Sequence, residues 1–216
     1  MLNQRVMGRT LRRDRGRLGT LRAGKRQKYE ELFPKKSGVK YSKLKLTPEG
    51  EYSITKRKDG ELLLKHMKSV LKTTKDKHIT DLTGNVGGDT ILFGLHFGKV
   101  DSIEMNPENF EVLKNNVDVF GLKNVTLHLG DSTKLYDWKT DVLYIDAPWG
   151  GPDYKEKAEL DLYLGDKRVD EFVKEVLQRE NRPSYVFMKV PRNYKFDRFE
   201  NIEKFKIRGY YLLLIK

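Results

Sequence analysis

The chain has 216 residues, a formal net charge of +12 and no cysteine. This length supports one substantial domain with an appended arm, and the lack of cysteine excludes disulfides and thiolate metal sites. No apolar run approaches the roughly 18–20 residues of a membrane span and no apolar segment of a secretory signal follows the basic N-terminus, so we expect an intracellular, reducing location without membrane contact.

The positive charge is concentrated at the N-terminus. Residues 1–28 hold ten Arg or Lys residues and one acid, a net of +9, so residues 29–216 contribute the remaining +3. A Gly- and Arg-rich segment with little apolar pattern buries too little surface to offset its ordering entropy. We therefore predict that residues 1–27 form a flexible basic arm that contacts RNA phosphates. A solubilising tail or a nuclear-import signal is the alternative.

The rest of the chain alternates between strand-like and helix-like patterns. Residues 28–77 are predicted to form a small N-terminal cap with an amphipathic helix near residues 62–70. Strands are then predicted at residues 78–83, 100–105, 125–129, 141–145 and 184–190, with helices at residues 90–97, 107–120 and 169–177. This order predicts an α/β, Rossmann-like fold with a mostly parallel sheet. The two short runs after residue 202 are joined too tightly for a crossover, so they should pair antiparallel.

Glycines and acids follow the first three predicted strands. The stretch D81-L-T-G84-N-V-G87-G88, here called the glycine-rich loop, permits close approach of a ligand and a tight turn into a helix whose N-terminal amides favour negative charge. Glu104 ends the second strand, where an acid can accept hydrogen bonds from both ribose hydroxyls. Asp131 follows the third strand and can accept a hydrogen bond from an adenine amine. The predicted cofactor contacts in this part of the chain are Asp81, Gly84, Gly87, Glu104, Asp131 and Ser132.

The pattern of these residues suits one cofactor better than others. The glycine-rich loop is not G-x-G-x-x-G, which argues against a pyrophosphate-binding dinucleotide site. Acids at three strand ends suit S-adenosylmethionine, whose ribose, adenine and sulfonium all favour hydrogen-bond acceptors or negative charge. Residues 78–216 are therefore predicted to be an S-adenosylmethionine-dependent class I methyltransferase domain with a seven-stranded sheet and an antiparallel final strand. The histidines show no metal-ligand spacing, so no metal site is predicted.

The fourth strand ends in the stretch D146-A-P-W-G-G-P-D-Y154, here called the tip motif. A purine amine is a poor nucleophile because its lone pair is delocalised into the ring. The Asp146 carboxylate and the Ala147 carbonyl can each accept one N–H and so turn the lone pair toward a methyl donor, while Pro148 fixes the backbone and Trp149 stacks on the base. We predict these four residues as the catalytic group. The alternative is a strand-end turn with Trp149 in the core.

The tip motif resembles the S/D-P-P-W-G-G-P-x-Y signature of trimethylguanosine synthases, which methylate guanine N2 of a 7-methylguanosine RNA cap. The stretch E49-G-E-Y-S-I-T55 is similar to the segment that closes over the cofactor in that family, and we call it the closing segment. D81-x-x-x-x-V-G-G-x-T90 and P191-R-N193 resemble two further family elements. The resemblance covers roughly residues 28–200.

The resemblance implies roles for further residues. Trp149 should stack on the cationic 7-methylguanine, with a cation–π contribution of about 0.5–2 kcal/mol. It implies cofactor contacts at Ser53 and Thr55, and substrate contacts at Tyr154, Arg192, Asn193 and Lys28. The implied partner is 7-methylguanosine-capped RNA, and a monomer is the default expectation.

Two departures from the family pattern leave alternatives open. Asp146 and Ala147 stand where the family usually has serine and proline, and an acid there resembles the D-P-P-W of adenine-N6 methylases. The glycine of T83-G-N-V86 is displaced by one position from the family's C-G-V. An amino-methyltransferase for adenine N6 or internal guanine N2, and a catalytically silent module that binds caps or RNA, are therefore the competing hypotheses.

Overall fold

The structure is a computed structural model that describes Gly24 and residues 27–216. The predicted basic arm lies outside these residues except for Gly24 and Gln27. The described N-terminal part contains a helical segment α1 (27–32), a 3-10 turn at Tyr41–Lys43, α2 (Pro48–Ser53) and α3 (Arg57–Leu71). Pro48 is the first residue of α2, and the Thr47 side chain caps that helix by accepting a hydrogen bond from the backbone N–H of Gly50.

Nine strands follow in the order of the chain. They are β1 (His78–Asp81), β2 (Lys99–Glu104), β3 (Val125–Leu129), β4 (Val142–Ile145), β5 (Tyr163–Leu164), β6 (Lys167–Arg168), β7 (Tyr185–Pro191), β8 (Ile202–Ile207) and β9 (Tyr210–Ile215). Seven of them form one sheet in the order β3-β2-β1-β4-β7-β9-β8, and β5 and β6 form a separate small hairpin.

The strand directions confirm the predicted sheet. β1 lies between β2 and β4 and is parallel to both, with Ile79 opposite Val100 on one side and Val142 on the other. β4 and β7 are also parallel. The final strand β9 is antiparallel to β7 and to β8, as the short link at residues 208–209 requires.

Four more helices connect the strands: α4 (Gly88–His96), α5 (Pro107–Phe120), α6 (Ser132–Leu135) and α7 (Val169–Gln178). The predicted start of α5 is confirmed, because Asn106 Oδ1 accepts hydrogen bonds from the backbone N–H groups of Glu108 and Asn109. Gly121 ends that helix in the left-handed region, with φ of 62°.

The helices cover both faces of the sheet. Leu63 and Met67 of α3 and Phe93 of α4 are fully buried on one face. Phe172 and Val176 of α7 are fully buried on the other face. Within the described part of the chain, none of the helices combines the length and apolar character needed to cross a bilayer.

This topology determines where a ligand can bind. The carboxyl ends of the parallel strands meet at one edge of the sheet, and crevices outside those ends are the usual ligand sites of open α/β sheets. The glycine-rich loop, Glu104, Asp131 and the tip motif all follow those ends.

Candidate active site

The glycine-rich loop turns sharply between β1 and α4. Gly87, with φ of 97°, is the left-handed N-cap of α4, so its predicted turn is confirmed. Gly84 is required by close packing, because a Cβ there would lie 2.5 Å from Ser102 Oγ and 2.8 Å from Leu113 Cδ2. Cofactor contacts by Gly84 and Gly87 stay predictions. Asn85 has a positive φ of 46°, which asparagine tolerates better than most residues. The displacement of the glycine by one position from the family's C-G-V pattern is thus explained, because Asn85 occupies the left-handed position before Val86.

Asp81 lies beneath this loop. Its Oδ1 accepts a hydrogen bond from the backbone N–H of Thr83 at 3.0 Å, and its Oδ2 accepts one from Thr90 Oγ1 at 2.7 Å. Burial raises the pKa of Asp81 to about 7. The carboxylate therefore fastens the loop to α4, and a direct cofactor contact by Asp81 stays a prediction.

Glu104 faces the same crevice from β2. Its two oxygens accept hydrogen bonds from the backbone N–H groups of Asn85 and Asn106, each at 2.7 Å. These bonds fix the carboxylate and leave each oxygen with a second lone pair. Burial raises the pKa of Glu104 above its usual range. This geometry suits a pair of ribose hydroxyls.

Asp131 and Ser132 form the start of α6. Asp131 Oδ1 accepts hydrogen bonds from the backbone N–H and the hydroxyl of Thr133, at 2.9 and 2.7 Å, and Lys134 lies 3.1 Å from Oδ2. Asp131 thus caps the helix, while Ser132 is buried. Adenine contacts by these two residues stay a prediction.

Exposed apolar side chains lie beside these acids. Met105 and Leu129, at the ends of β2 and β3, are 57% and 49% exposed. Such surface on neighbouring strand ends suits the flat face of an adenine ring.

The closing segment is bound to both the loop and the strand ends. Ser53 Oγ accepts a hydrogen bond from Asn85 Nδ2 at 2.7 Å. Thr55 is buried, and its hydroxyl donates to Asp89 Oδ2 at 2.7 Å while accepting from Lys189 Nζ at 2.8 Å. Cofactor contacts by Ser53 and Thr55 stay a prediction, but both side chains lie at the crevice.

The tip motif leaves β4 at Asp146. The backbone N–H of Asp146 donates to Thr83 Oγ1 at 2.8 Å, and its Oδ2 accepts from Lys189 Nζ at 2.6 Å. Among the described residues, none donates a hydrogen bond to Asp146 Oδ1 or to the Ala147 carbonyl oxygen. Ala147 is buried and Pro148 is exposed. Two acceptors next to each other are therefore free for a ligand with two N–H groups.

Trp149 is half-buried and packs against the buried apolar clusters on both faces of the sheet. Tyr154 and Tyr210 meet it edge to face, with ring centroids 5.0 and 5.9 Å away. Its indole Nε1 is buried without a hydrogen-bond partner within the described chain. The alternative of a core tryptophan is consistent with this packing, and stacking of Trp149 on a base stays a prediction.

The remaining predicted substrate residues have structural contacts. Asn193 Nδ2 donates to the carbonyl oxygens of Tyr154 and Lys157, at 2.7 and 2.8 Å, and so holds the end of the tip motif. Arg192 is exposed and donates to the Arg208 carbonyl at 2.6 Å. Lys28 pairs with Glu51 of the closing segment. Substrate contacts by Tyr154, Arg192, Asn193 and Lys28 stay predictions.

Several residues of this site were missed by sequence reasoning. Lys189 is 4% exposed within β7, and a lone lysine in the apolar run V186-F-M-K-V190 is the signal that could have identified it. Asp89, in the first turn of α4, accepts hydrogen bonds from Thr55 and from Tyr144. Its role depends on these distant partners, so sequence spacing gives no signal for it.

Comparison with known proteins agrees with this geometry. The family described as RNA cap guanine-N2 methyltransferase matches residues 76–208. An uncharacterised protein of Acanthamoeba polyphaga mimivirus is 32% identical over 160 residues, which cover 69% of this chain and 62% of that protein. The trimethylguanosine synthase of Schizosaccharomyces pombe is 29% identical over 153 residues, which cover 66% of this chain and 60% of that protein. The chain thus spans about 60% of the length of these relatives.

Solved structures share the fold at low identity. A 16S rRNA N2 methyltransferase of T. thermophilus, in complex with AdoMet and guanosine, has a TM-score of 0.58 and 17% identity, covering 80% of this chain and 43% of that one. A precorrin-6y C5,15-methyltransferase from Geobacter metallireducens has a TM-score of 0.56 and 15% identity. The matched part covers 80% of this chain and 94% of that one. These similarities show the class I methyltransferase fold.

The residues at the strand ends fit S-adenosylmethionine, the methyl donor of this fold. The fixed Glu104 carboxylate offers two acceptors to ribose hydroxyls. Asn85 Oδ1 and Asp89 Oδ1 are buried acceptors without partners in the described chain, and they suit the positively charged part of that molecule. S-adenosylmethionine is the cofactor of this site.

Proposed function

Because this chain belongs to the RNA cap guanine-N2 methyltransferase family, we propose that it methylates the N2 amine of a 7-methylguanosine RNA cap. The observation that carries the proposal is the pair of free acceptors at the tip of β4, beside a half-exposed tryptophan. Two acceptors and one aromatic face match a planar base that carries an exocyclic amine.

The chain's own groups perform the positioning. Asp146 Oδ1 and the Ala147 carbonyl each accept one N–H of the amine, which directs the nitrogen lone pair out of the plane of the base. S-adenosylmethionine supplies an electrophilic methyl group when it is bound. The amine becomes more acidic as the new N–C bond forms, so it then loses a proton without a strong base. The Asp146 carboxylate stabilises the positive charge that develops on the nitrogen.

Trp149 supplies the preference for a cap. A 7-methylguanine is cationic, and an indole face attracts a cation by about 0.5–2 kcal/mol beyond ordinary stacking. Tyr154 and Tyr210 each pack on the indole in an edge-to-face arrangement, so the ring is fixed before the base arrives. Arg192, next to the tip motif, and Lys28, paired with Glu51, are the proposed contacts for the cap phosphates.

Adenine N6 is the second candidate target. An acid rather than a serine begins the tip motif, and Asp146 is an equally good acceptor for an adenine amine. Adenine is neutral, however, and gains less from the indole face than a cationic base does.

One experiment separates these candidates. The full-length protein is incubated with labelled S-adenosylmethionine and RNAs that carry a 7-methylguanosine cap, an unmethylated cap or no cap, and the labelled nucleosides are identified. We expect label in N2-methylated 7-methylguanosine from the first RNA alone. Label in N6-methyladenosine would favour the second candidate, and binding without transfer would indicate a silent module.

A further inference from the structure

Lys189 is a buried cation inside the candidate active site. Its ammonium group lies 2.6 Å from Asp146 Oδ2 and 2.8 Å from Thr55 Oγ1. Burying an ammonium is costly unless it is paired and hydrogen-bonded, and both conditions are met here. The pair therefore joins the tip of β7 to the tip of β4 beneath the closing segment.

The same ammonium lies against the aromatic group around Trp149. Its Nζ is 5.4 Å from the centroid of the Trp149 ring and 5.0 Å from that of Tyr210. A charge this close to the indole acts on whatever base stacks there. The effect of the Lys189 charge on that base depends on whether the Asp146 carboxylate balances the charge.

Other titratable and charged groups face this pair from each neighbouring element. They are Asp81 on β1, Asp89 on α4, Asp59 on α3, Tyr144 on β4, and Tyr210 and Arg208 on the β8–β9 hairpin. Burial raises the pKa of Asp146 to about 6, against the opposing effect of the Lys189 charge. Burial also acts to lower the pKa of Lys189, but the charges of Asp146 and Asp89 outweigh it and raise that pKa. The 2.6 Å contact between Lys189 Nζ and Asp146 Oδ2 is that of an ion pair.

We propose that Lys189 is a positioning residue that keeps Asp146 ionised as the amine acceptor and, with its own charge balanced by that carboxylate, leaves the Trp149 face open to a cationic base. The second half of this inference rests on the proposed cap substrate. The first half applies to any purine amine that the protein methylates.

The first test is the pH profile of methyl transfer. In Lys189→Met, the Asp146 carboxyl loses its counter-ion while the opposing charge of Asp89 remains, so its protonation should extend to higher pH. Each unit by which its pKa exceeds the assay pH lowers the ionised fraction about tenfold. We therefore expect kcat of Lys189→Met at pH 7 to fall at least tenfold below that of the wild-type protein and to recover toward pH 9.

Two further variants serve as controls. Lys189→Arg should restore the wild-type acid limb of the pH profile. Lys216→Met, which breaks a surface pair with Glu203, should leave that limb unchanged.

The second test measures binding and needs no turnover. Guanosine triphosphate and 7-methylguanosine triphosphate differ in the charge of the base, and their affinities are compared by calorimetry. Asp146→Asn removes the carboxylate that pairs with the ammonium and leaves only the charges of Asp89 and Asp59 to balance it, so the preference for the methylated nucleotide should fall about tenfold or more. The double variant Asp146→Asn with Lys189→Met should recover that preference.

Fold and cofactor binding are checked in every variant by thermal melting and by titration with S-adenosylmethionine. A wild-type pH profile in Lys189→Met, or an undiminished nucleotide preference in Asp146→Asn, would overturn the inference. Equal affinity of the wild-type protein for both nucleotides would instead contradict the proposed cap substrate, and the pH profile would still test Lys189 on whichever amine is methylated.

Discussion

The side-chain amide of Asn85 donates a 2.7 Å hydrogen bond to Ser53 Oγ and so connects the closing segment to the glycine-rich loop. The two residues are 32 positions apart in the chain. The same asparagine donates its backbone N–H to Glu104. One residue therefore links the closing segment to Glu104, the acid that is predicted to bind the cofactor ribose.

Two substitutions at Asn85 separate its bond from its backbone conformation. Asn85→Gly removes the bond to Ser53 but accepts the positive φ, whereas Asn85→Ala also strains the backbone by about 1–2 kcal/mol. We expect both variants to bind S-adenosylmethionine several-fold more weakly in calorimetry, and only the alanine variant to melt at a clearly lower temperature. Wild-type affinity in both would show that the link to Ser53 does not support cofactor binding.

Glu104→Gln should weaken binding of the cofactor but not binding of the cap nucleotide. An amide group cannot accept hydrogen bonds from both Asn85 and Asn106, so one N–H is left unpaired and one ribose acceptor is lost. The expected loss is about 2–3 kcal/mol, or roughly 30- to 150-fold in affinity. Titration with S-adenosylhomocysteine measures it. Binding of 7-methylguanosine triphosphate serves as the control and should change little.

The two tryptophans should respond differently to substitution. Trp149→Ala removes the stacking face, and cap methylation should fall about 100-fold or more while cofactor affinity stays within a few-fold. Trp138 stacks on His128, with ring centroids 4.7 Å apart, and donates to Thr80, so Trp138→Phe should lower the melting temperature without altering cap affinity. A large loss of cofactor affinity in a folded Trp149→Ala protein would contradict this division of roles.

Stability should depend on pH through Asp81. Its folded-state pKa is raised to about 7 from an ordinary 3.8, so the folded protein binds a proton more tightly than the unfolded chain. The stability from this group is present below about pH 4 and is lost as pH rises to about 7, by about 1.4 kcal/mol per unit at most. Urea unfolding from pH 4 to pH 8 should show this decline. Asp81→Asn should flatten the decline, because an amide does not titrate in this range. The Thr90 hydroxyl can turn to accept a hydrogen bond from the new amide, so the variant keeps this contact.

The basic arm should matter for long RNA and not for the cap alone. Residues 1–24 contain seven arginines and one aspartate. Deleting them should weaken binding of a capped 20-nucleotide RNA more than binding of a cap dinucleotide. The slope of log affinity against log salt should become shallower by about 0.7 for each phosphate that the arm no longer neutralises. An equal loss of affinity for both ligands would count against a role in RNA binding.

The fold could be predicted from sequence because its signals are local. The caps at Asn106 and Gly121, and the apolar runs of β4 and β7, each depend on a few neighbouring residues. The short link before Gly209 likewise determines that β8 and β9 pair antiparallel.

The site was predictable in part. Residues that follow strand ends could be placed at one edge of the sheet, but their orientation could not be read from the sequence. Asp81 and Glu104 both end strands, yet Asp81 lies under the loop while Glu104 faces the crevice. That difference arises from Thr90, a hydrogen-bond partner nine residues along the chain that draws the Asp81 carboxylate inward.

The extended backbone of β7 also determines a distance. Lys189 lies two residues before Pro191, where β7 ends, and Arg192 is the first residue of the turn that follows. An extended chain advances about 3.3 Å per residue, so the Cα atoms of Lys189 and Pro191 are separated by about 7 Å. Under the proposed function, the end of β7 would therefore set the separation between the base, beside Lys189, and the cap phosphates, near Arg192. Inserting a single residue into this end of β7 would lengthen that separation and move the strand residues after it to the opposite face of the sheet, so the spacing is as much a part of the proposed binding site as the side chains it separates.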